Sequence, residues 1–383
     1  MRKPPMTNAK LDSPATARQR VRSALAHRQP DRVPFSWQFC ATPEMSGCLE
    51  RELAARGISW DALRQVTEDI VWLGPNFCGP KERGGGAWDV WGIGWKDVNY
   101  GHGTYREVDT YPLAGVDSLA ALDDYPWPDP AWYDYAGLAR QAAEVDAHRA
   151  VKFAAMNPLE TLCWMTGLEE VLCNCAARPE LVVRAFEHIV EFYEQRLVRS
   201  LEVAGERMDI VFFFDDLGSQ NGPLLSPAMY RDLVKPFHHR LFARAHERAP
   251  GARVMMHSDG SVFALLDDLL DAGMEVLEAV QVDCVDMEPR KLKDTFGDRL
   301  SFHGAISVQQ LLPRADAATV ERTCRELVAI LGEGGGYIAA PAHAIQMGTP
   351  VDNVLAMLKG VLGDAGYEAA LKQSALPSAG KHP

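Results

Sequence analysis

The sequence predicts an α/β fold, a single (β/α)8 TIM barrel whose functional site lies at the carboxyl ends of its strands. Three observations lead there. Eight short apolar runs of β type recur along 383 residues, helical stretches separate most of them, and polar or titratable residues sit where several runs end. Residues 14–372 read as one barrel domain, with 1–13 a disordered lead-in and 373–383 a disordered tail.

The elements follow in order. Ala15–His27 reads as an N-terminal helical extension, broken at Gln29-Pro30-Asp31-Arg32 because proline cannot continue a helix. The eight β-type runs are Val33–Trp37, Asp69–Leu73, Val151–Met156, Met208–Asp215, Arg253–His257, Met274–Ala279, Leu300–Ala305 and Gly336–Ala340. Between them, Leu168–Val203 (broken at Pro179), Ser226–Arg248, Val262–Ala272, Ser307–Leu312 and Ala317–Leu331 carry helical patterning. Residues 75–150 break the rhythm, and an unstructured loop of that length is uncommon in a compact domain. The alternation Trp88-Asp89-Val90-Trp91-Gly92-Ile93-Gly94-Trp95 predicts a small antiparallel β region inserted after the second barrel strand, over the barrel mouth.

Composition narrows the function classes. With 39 basic and 52 acidic residues the formal charge is −13, spread along the chain, which argues against a broad surface for nucleic acid or anionic lipid. No run approaches membrane-spanning length, and Met1–Pro14 lacks the apolar segment of a secretory signal, so a cytoplasmic protein is expected. The eight cysteines show no repeating spacing and are expected as reduced thiols. Cys173 and Cys175 lie in an amphipathic helical stretch without a second pair, which favours burial over a metal knuckle. Nothing in the sequence fixes the oligomeric state.

The chemistry concentrates at strand ends. His257 and Asp259 close the fifth run two residues apart, a spacing that turns both to one face if the strand continues, and Gly260 permits a tight turn beyond. Asp215 and Asp216 close the fourth; in a regular strand only one of them enters the pocket while the other caps a loop or helix. Glu278 and Gln281 come from the sixth, His303 lies inside the seventh, where a satisfied core histidine is the plain alternative, and His343 follows the eighth. Asp215, Asp216 and His303 are the catalytic candidates, and Asn157, Gln220 and Gln281 the substrate-binding ones. Met255 and Met256 read as barrel filling.

From about Arg18 to Leu371 the chain resembles the uroporphyrinogen decarboxylase superfamily, which includes the cobamide-dependent methyltransferases. The segments that carry the likeness are RQRVRSALAHRQPDRVPF, DVWGIGW, FFFDDLGSQNGPLLSPAMYRDLVKPF, VMMHSDG, FGDRLSFHGAI and GGGYIAAPAHAIQMGTPVDNVLAM. The resemblance implies a (β/α)8 barrel, in agreement with the strand count. The decarboxylase branch uses an arginine-rich motif near its N-terminus, whereas residues 35–44 here, FSWQFCATPE, contain no arginine. The methyltransferase branch binds zinc through His-x-Cys at the fifth strand and a further Cys after the eighth. His257 matches that histidine, Asp259 stands at the first Cys position, and His343 lies six residues before Thr349-Pro350, where the second Cys is expected. The resemblance thus implies a metal site of His257, Asp259, His343 and Glu278, harder than the thiolate site and suited to Zn²⁺ or another divalent metal.

The expected activity is methyl transfer between a corrinoid on a separate protein and a small folate or thiol acceptor. Two alternatives stay open: cofactor-free decarboxylation of a pyrrolic or aromatic acid, with Asp215 or Asp216 stabilising the protonated ring, and a non-catalytic binding protein on the same barrel.

Overall fold

The computed structural model describes residues 15–82, 88–101, 103–155 and 158–377. Seven strands, β1 (Ile70–Leu73), β2 (Ala150–Ala154), β3 (Ile210–Phe214), β4 (Arg253–His257), β5 (Val276–Val280), β6 (Ser301–Ile306) and β7 (Tyr337–Pro341), lie side by side in chain order, all parallel. The eighth place falls to the run Val33–Trp37, which contributes a single parallel bridge from Phe35 to Ala339. On one side Ser36 N donates to Ala339 O (3.0 Å) and Ala339 N to Pro34 O (2.9 Å); on the other, Asp69 N donates to Phe35 O (2.9 Å). The barrel therefore closes.

The closing segment is short because Pro34 has no N–H to offer a ladder. The side chain of Asp69 makes up for it. Its carboxylate accepts the Phe35 N–H at 2.9 Å, and Arg20 (2.9 Å) and Arg32 (2.8 Å) hold it in place. Arg20 belongs to the helix Ala17–Leu25, the expected N-terminal extension, which Thr16 starts with a capping box. Val21 and Leu25 of that helix plug the amino end of the barrel against Ile70, Ala150, Ile210, Phe212, Met255, Val276 and Ile338. Residues of opposite parity, Val151, Phe153, Val211, Phe213, Val254 and Met256, join the larger core under the outer helices. Met255 and Met256 thus fill the two sides of one strand.

Two features differ from the sequence reading. The insertion is antiparallel, as expected, but its hairpin pairs Gly94–Asn99 with Thr104–Thr110 rather than starting at Trp88. The carboxylate of Asp89 explains the shift. It accepts from Trp91 N (2.9 Å), Ile93 N (3.0 Å) and Trp95 Nε1 (3.0 Å), folding 89–93 into a turn with Trp91 and Ile93 both buried. Second, helices Pro43–Ala55 and Trp60–Thr67, capped by Thr42 and Ser59, occupy a stretch the sequence reading left unassigned. Among the described residues no helix is long and apolar enough to cross a membrane.

Because Asp69 joins the two ends of the sheet and is almost fully buried, Asp69→Ala should cost about 3 kcal/mol, and Asp69→Asn, which keeps the acceptor, less. Urea denaturation followed by far-ultraviolet circular dichroism measures the difference; an unchanged midpoint for Asp69→Ala would refute this account of the seam.

Candidate functional site

His257 is the last residue of β4 and points into the barrel among Phe39, Phe212 and Phe214, with ring centroids 5.4, 6.4 and 5.8 Å away. Its Nδ1 lies 2.6 Å from Glu278 Oε2, the carboxylate of the adjacent strand β5. Burial disfavours the imidazolium, but the charge and hydrogen bond of Glu278, joined by Asp216 and Asp259, outweigh it and raise the His257 pKa to about 10. The hydrogen bond also fixes the ring, so that Nε2 faces the mouth.

Two carboxylates meet it there. Asp216 Oδ1 and Asp259 Oδ1 stand 3.5 and 3.6 Å from His257 Nε2. Both are positioned by loop contacts. Asp259 N donates to Asp216 Oδ1 at 2.8 Å, and Gln281 Nε2 donates to Asp259 Oδ1 at 2.7 Å while Gln281 Oε1 accepts Gly260 N at 2.9 Å. The loops after β3 and β4 come this close because Gly260 and Gly218 face each other. A Cβ on Gly260 (φ +81°) would lie 2.5 Å from the Gly218 carbonyl carbon.

The three side chains can hold a metal ion: one donor atom from each of Asp216, His257 and Asp259 lies within 4.8 Å of the others. The spacing bears on the fit. Gaps of 3.5 and 3.6 Å are longer than an N–H···O bond. Metal–ligand bonds of about 2.0–2.2 Å, however, put neighbouring donors of a tetrahedral site roughly 3.4 Å apart. One imidazole, two carboxylates and a carboxylate behind the imidazole make a donor set that suits Zn²⁺ or a harder divalent ion.

The remaining candidates separate. Glu278, expected as a ligand, is fully buried with Oε2 engaged by His257 Nδ1, so it supports the ligand instead. His343 stands further out, its ring centroid 6.5 Å from that of His257 with Phe39 packed against both. Asp216, expected as a catalytic group, belongs to the donor cluster. Asp215 faces the other way: fully buried, it accepts from Glu160 N (2.6 Å), Leu159 N (3.3 Å) and His238 Nε2 (2.8 Å), and so starts the helix Pro158–Thr166. His303 is buried inside β6, 3.8 Å from Glu278 Oε1, with no hydrogen-bond partner for either ring nitrogen among the described residues, and burial with Lys152 and His257 nearby keeps it neutral. Gln281 orders Asp259, as above. Gln220 lies in an exposed loop against Cys284, its Oε1 3.4 Å from Sγ. Asn157 falls outside the described residues.

Sequence reasoning missed two contributors. Glu160, in the first turn of the helix after β2, has its pKa raised to about 8 by burial and by the charges of Asp216 and Asp215. An acidic residue in the first turn after a barrel strand was the available signal. Lys152, mid-β2, is fully buried, donates to Gln38 Oε1 and lies over the rings of Trp72 (3.9 Å) and Phe212 (4.6 Å). Burial lowers its pKa to about 8 against the pull of Glu278 and Glu68. A lysine inside an apolar strand is that signal.

Comparison with known proteins gives the lineage. The family described as Uroporphyrinogen decarboxylase (URO-D) matches residues 91–362. Among solved structures, a methyltransferase from Methanosarcina mazei superposes with a TM-score of 0.64 at 16% identity, covering 90% of this chain and 98% of that one, a likeness of fold. An endo-1,4-beta-xylanase from Caldicellulosiruptor owensensis gives a TM-score of 0.35 at 11% identity over 56% and 72% of the two chains, and carries nothing about chemistry. No curated protein matches in sequence.

If Glu278 supports a ligand, Glu278→Gln should weaken Zn²⁺ binding about 10–100-fold, and His257→Ala more. Competition titration with a chromogenic chelator measures both; equal affinity in wild type and Glu278→Gln would remove Glu278 from the site.

Proposed function

The chain belongs to the uroporphyrinogen decarboxylase family, and from that premise we propose that it is a methyltransferase, moving a methyl group between a corrinoid carried by a separate protein and a small folate or thiol acceptor. The observation that carries this reading is the Asp216–His257–Asp259 cluster at the barrel mouth, with Glu278 behind the imidazole.

His257, Asp216 and Asp259 would hold the metal, and His343 lies beside them at the mouth. A divalent ion there would lower the pKa of an acceptor S–H or N–H bound to it. The chain's own residues do the rest. Glu278 fixes the His257 tautomer, Gln281 orients Asp259, and the aromatic side chains Phe39 and Phe214 keep water from the inner side of the imidazole. In the transfer, the acceptor's lone pair forms the new bond to the methyl carbon and the cobalt–carbon bond breaks with its electron pair left on cobalt. The acceptor's proton departs into the acidic mouth, where Glu160 lies in the field of Asp216 and His257.

The same mouth disfavours a porphyrinogen. Asp216 and Asp259 present carboxylates where a polycarboxylated tetrapyrrole would need cations, and residues 35–44 supply no arginine.

Zinc-loaded protein given methylcobalamin and either tetrahydrofolate or 2-mercaptoethanol should form the methylated acceptor, with His257→Ala and Asp216→Asn each at least ~100-fold slower. Protein that retains no metal after purification without chelator, and that forms no methylated product with either acceptor, would overturn the proposal.

A further inference from the structure

Beside Asp259 and His343 the mouth widens into a cleft of about 780 Å³. Tyr100, Tyr105 and Glu107 of the inserted hairpin form one wall; Gln310 and Arg314, at the two ends of the short helix Leu311–Arg314 after β6, and Gln346, after β7, line the other. Three properties of this cleft bear on what it binds.

Its size comes first. Pockets for whole cofactor-sized ligands span about 300–1,000 Å³, and a two-carbon thiol would fill only a small part of this one. Its aromatic surface comes second. Tyr100 and Tyr105 are 42% and 52% exposed, and among the described residues neither packs against another ring, whereas Tyr125, Tyr133 and Tyr193 all make edge-on ring contacts. Two open ring faces beside a cleft suit a flat partner. Its charge comes third. Arg314 is exposed at the edge of the cleft and has no carboxylate partner among the described residues. An unpaired guanidinium favours a carboxylate, while Glu107 and the two glutamine amides offer acceptors and donors to ring N–H and C=O groups.

We propose that this cleft binds the methyl acceptor and that the acceptor is a planar nitrogen heterocycle with an amide-like edge and a carboxylate tail. The inference rests on the methyl-transfer reading of the adjacent site. The ring lies against the tyrosines with its reactive nitrogen toward Asp259 and His343, and the tail reaches Arg314. The ring nitrogen's lone pair then bonds the methyl carbon of the partner protein's methylcorrinoid, the cobalt–carbon bond breaks with its electron pair left on cobalt, and the nitrogen releases its proton.

Folic acid, an unreactive stand-in of this class, tests the assignment by calorimetry on the zinc-loaded full chain. Saturable binding is expected, weakened at least ~10-fold by Arg314→Met and roughly 5–10-fold by Tyr105→Ala. Both residues are exposed, so circular dichroism should show the variants folded. Binding of folic acid that ignores Arg314→Met overturns the proposal, as does tighter, Arg314-dependent binding of hydroxocobalamin. Methylation of 2-mercaptoethanol by a protein that does not bind folic acid would reject the heterocycle and leave the methyl-transfer reading standing. Arg314-dependent folic acid binding with no transfer to any acceptor would support the cleft assignment and reject that reading.

Discussion

Every chemical feature of this protein depends on the seam at Asp69. A parallel barrel places strand ends around a common opening only if its first and last strands meet, and here they meet through a segment reduced to one bridge at Phe35. Asp69 supplies from its side chain the acceptor that a regular ladder would supply from the backbone, and two arginines keep that carboxylate in place. Phe39, which packs against both His257 and His343, follows four residues after Phe35, so the aromatic wall of the site is anchored at the same seam.

Above it, the barrel interior grades from apolar to ionic. Val21 and Leu25 close the bottom, and Met255 and Phe212 fill the layer above them. Lys152, Gln38, Glu278, His303 and His257 then bring buried polar groups toward the mouth. In a water-poor interior such charges act strongly on one another. Lys152 faces the fields of Glu278 and Glu68, and Glu278 in turn holds His257. Of the three candidate metal donors, His257 is rooted on a strand, and the two aspartates come from the loops that follow β3 and β4.

How much of this could be read from the sequence follows from where the determinants lie. The strands were legible because runs such as Ile210–Phe214 and Val254–Met256 are locally apolar, and His257 and Asp259 were legible because they end one of them. The hairpin start was not, since the three bonds to Asp89 overrode an alternation that suggested a strand. The pairing of His257 with Glu278 joins residues 21 apart and depends on the register of β4 against β5. The tertiary bonds of Asp215 to His238 and to the turn at Leu159–Glu160 likewise have no local signature, which is why residues 215 and 216 looked equivalent.

That adjacent pair limits how the chain can diverge. One carboxylate is tied into the scaffold and its neighbour opens to solvent, and the alternation of the backbone separates them by a single peptide unit. Exchanging side chains at 216 would retune the mouth and leave the framework intact. Gaining or losing one residue between Ile210 and Asp216 would instead interchange inside and outside, and both assignments would fail together. Lineages built on this arrangement should therefore vary in residue type at the rim while keeping the length of that segment constant.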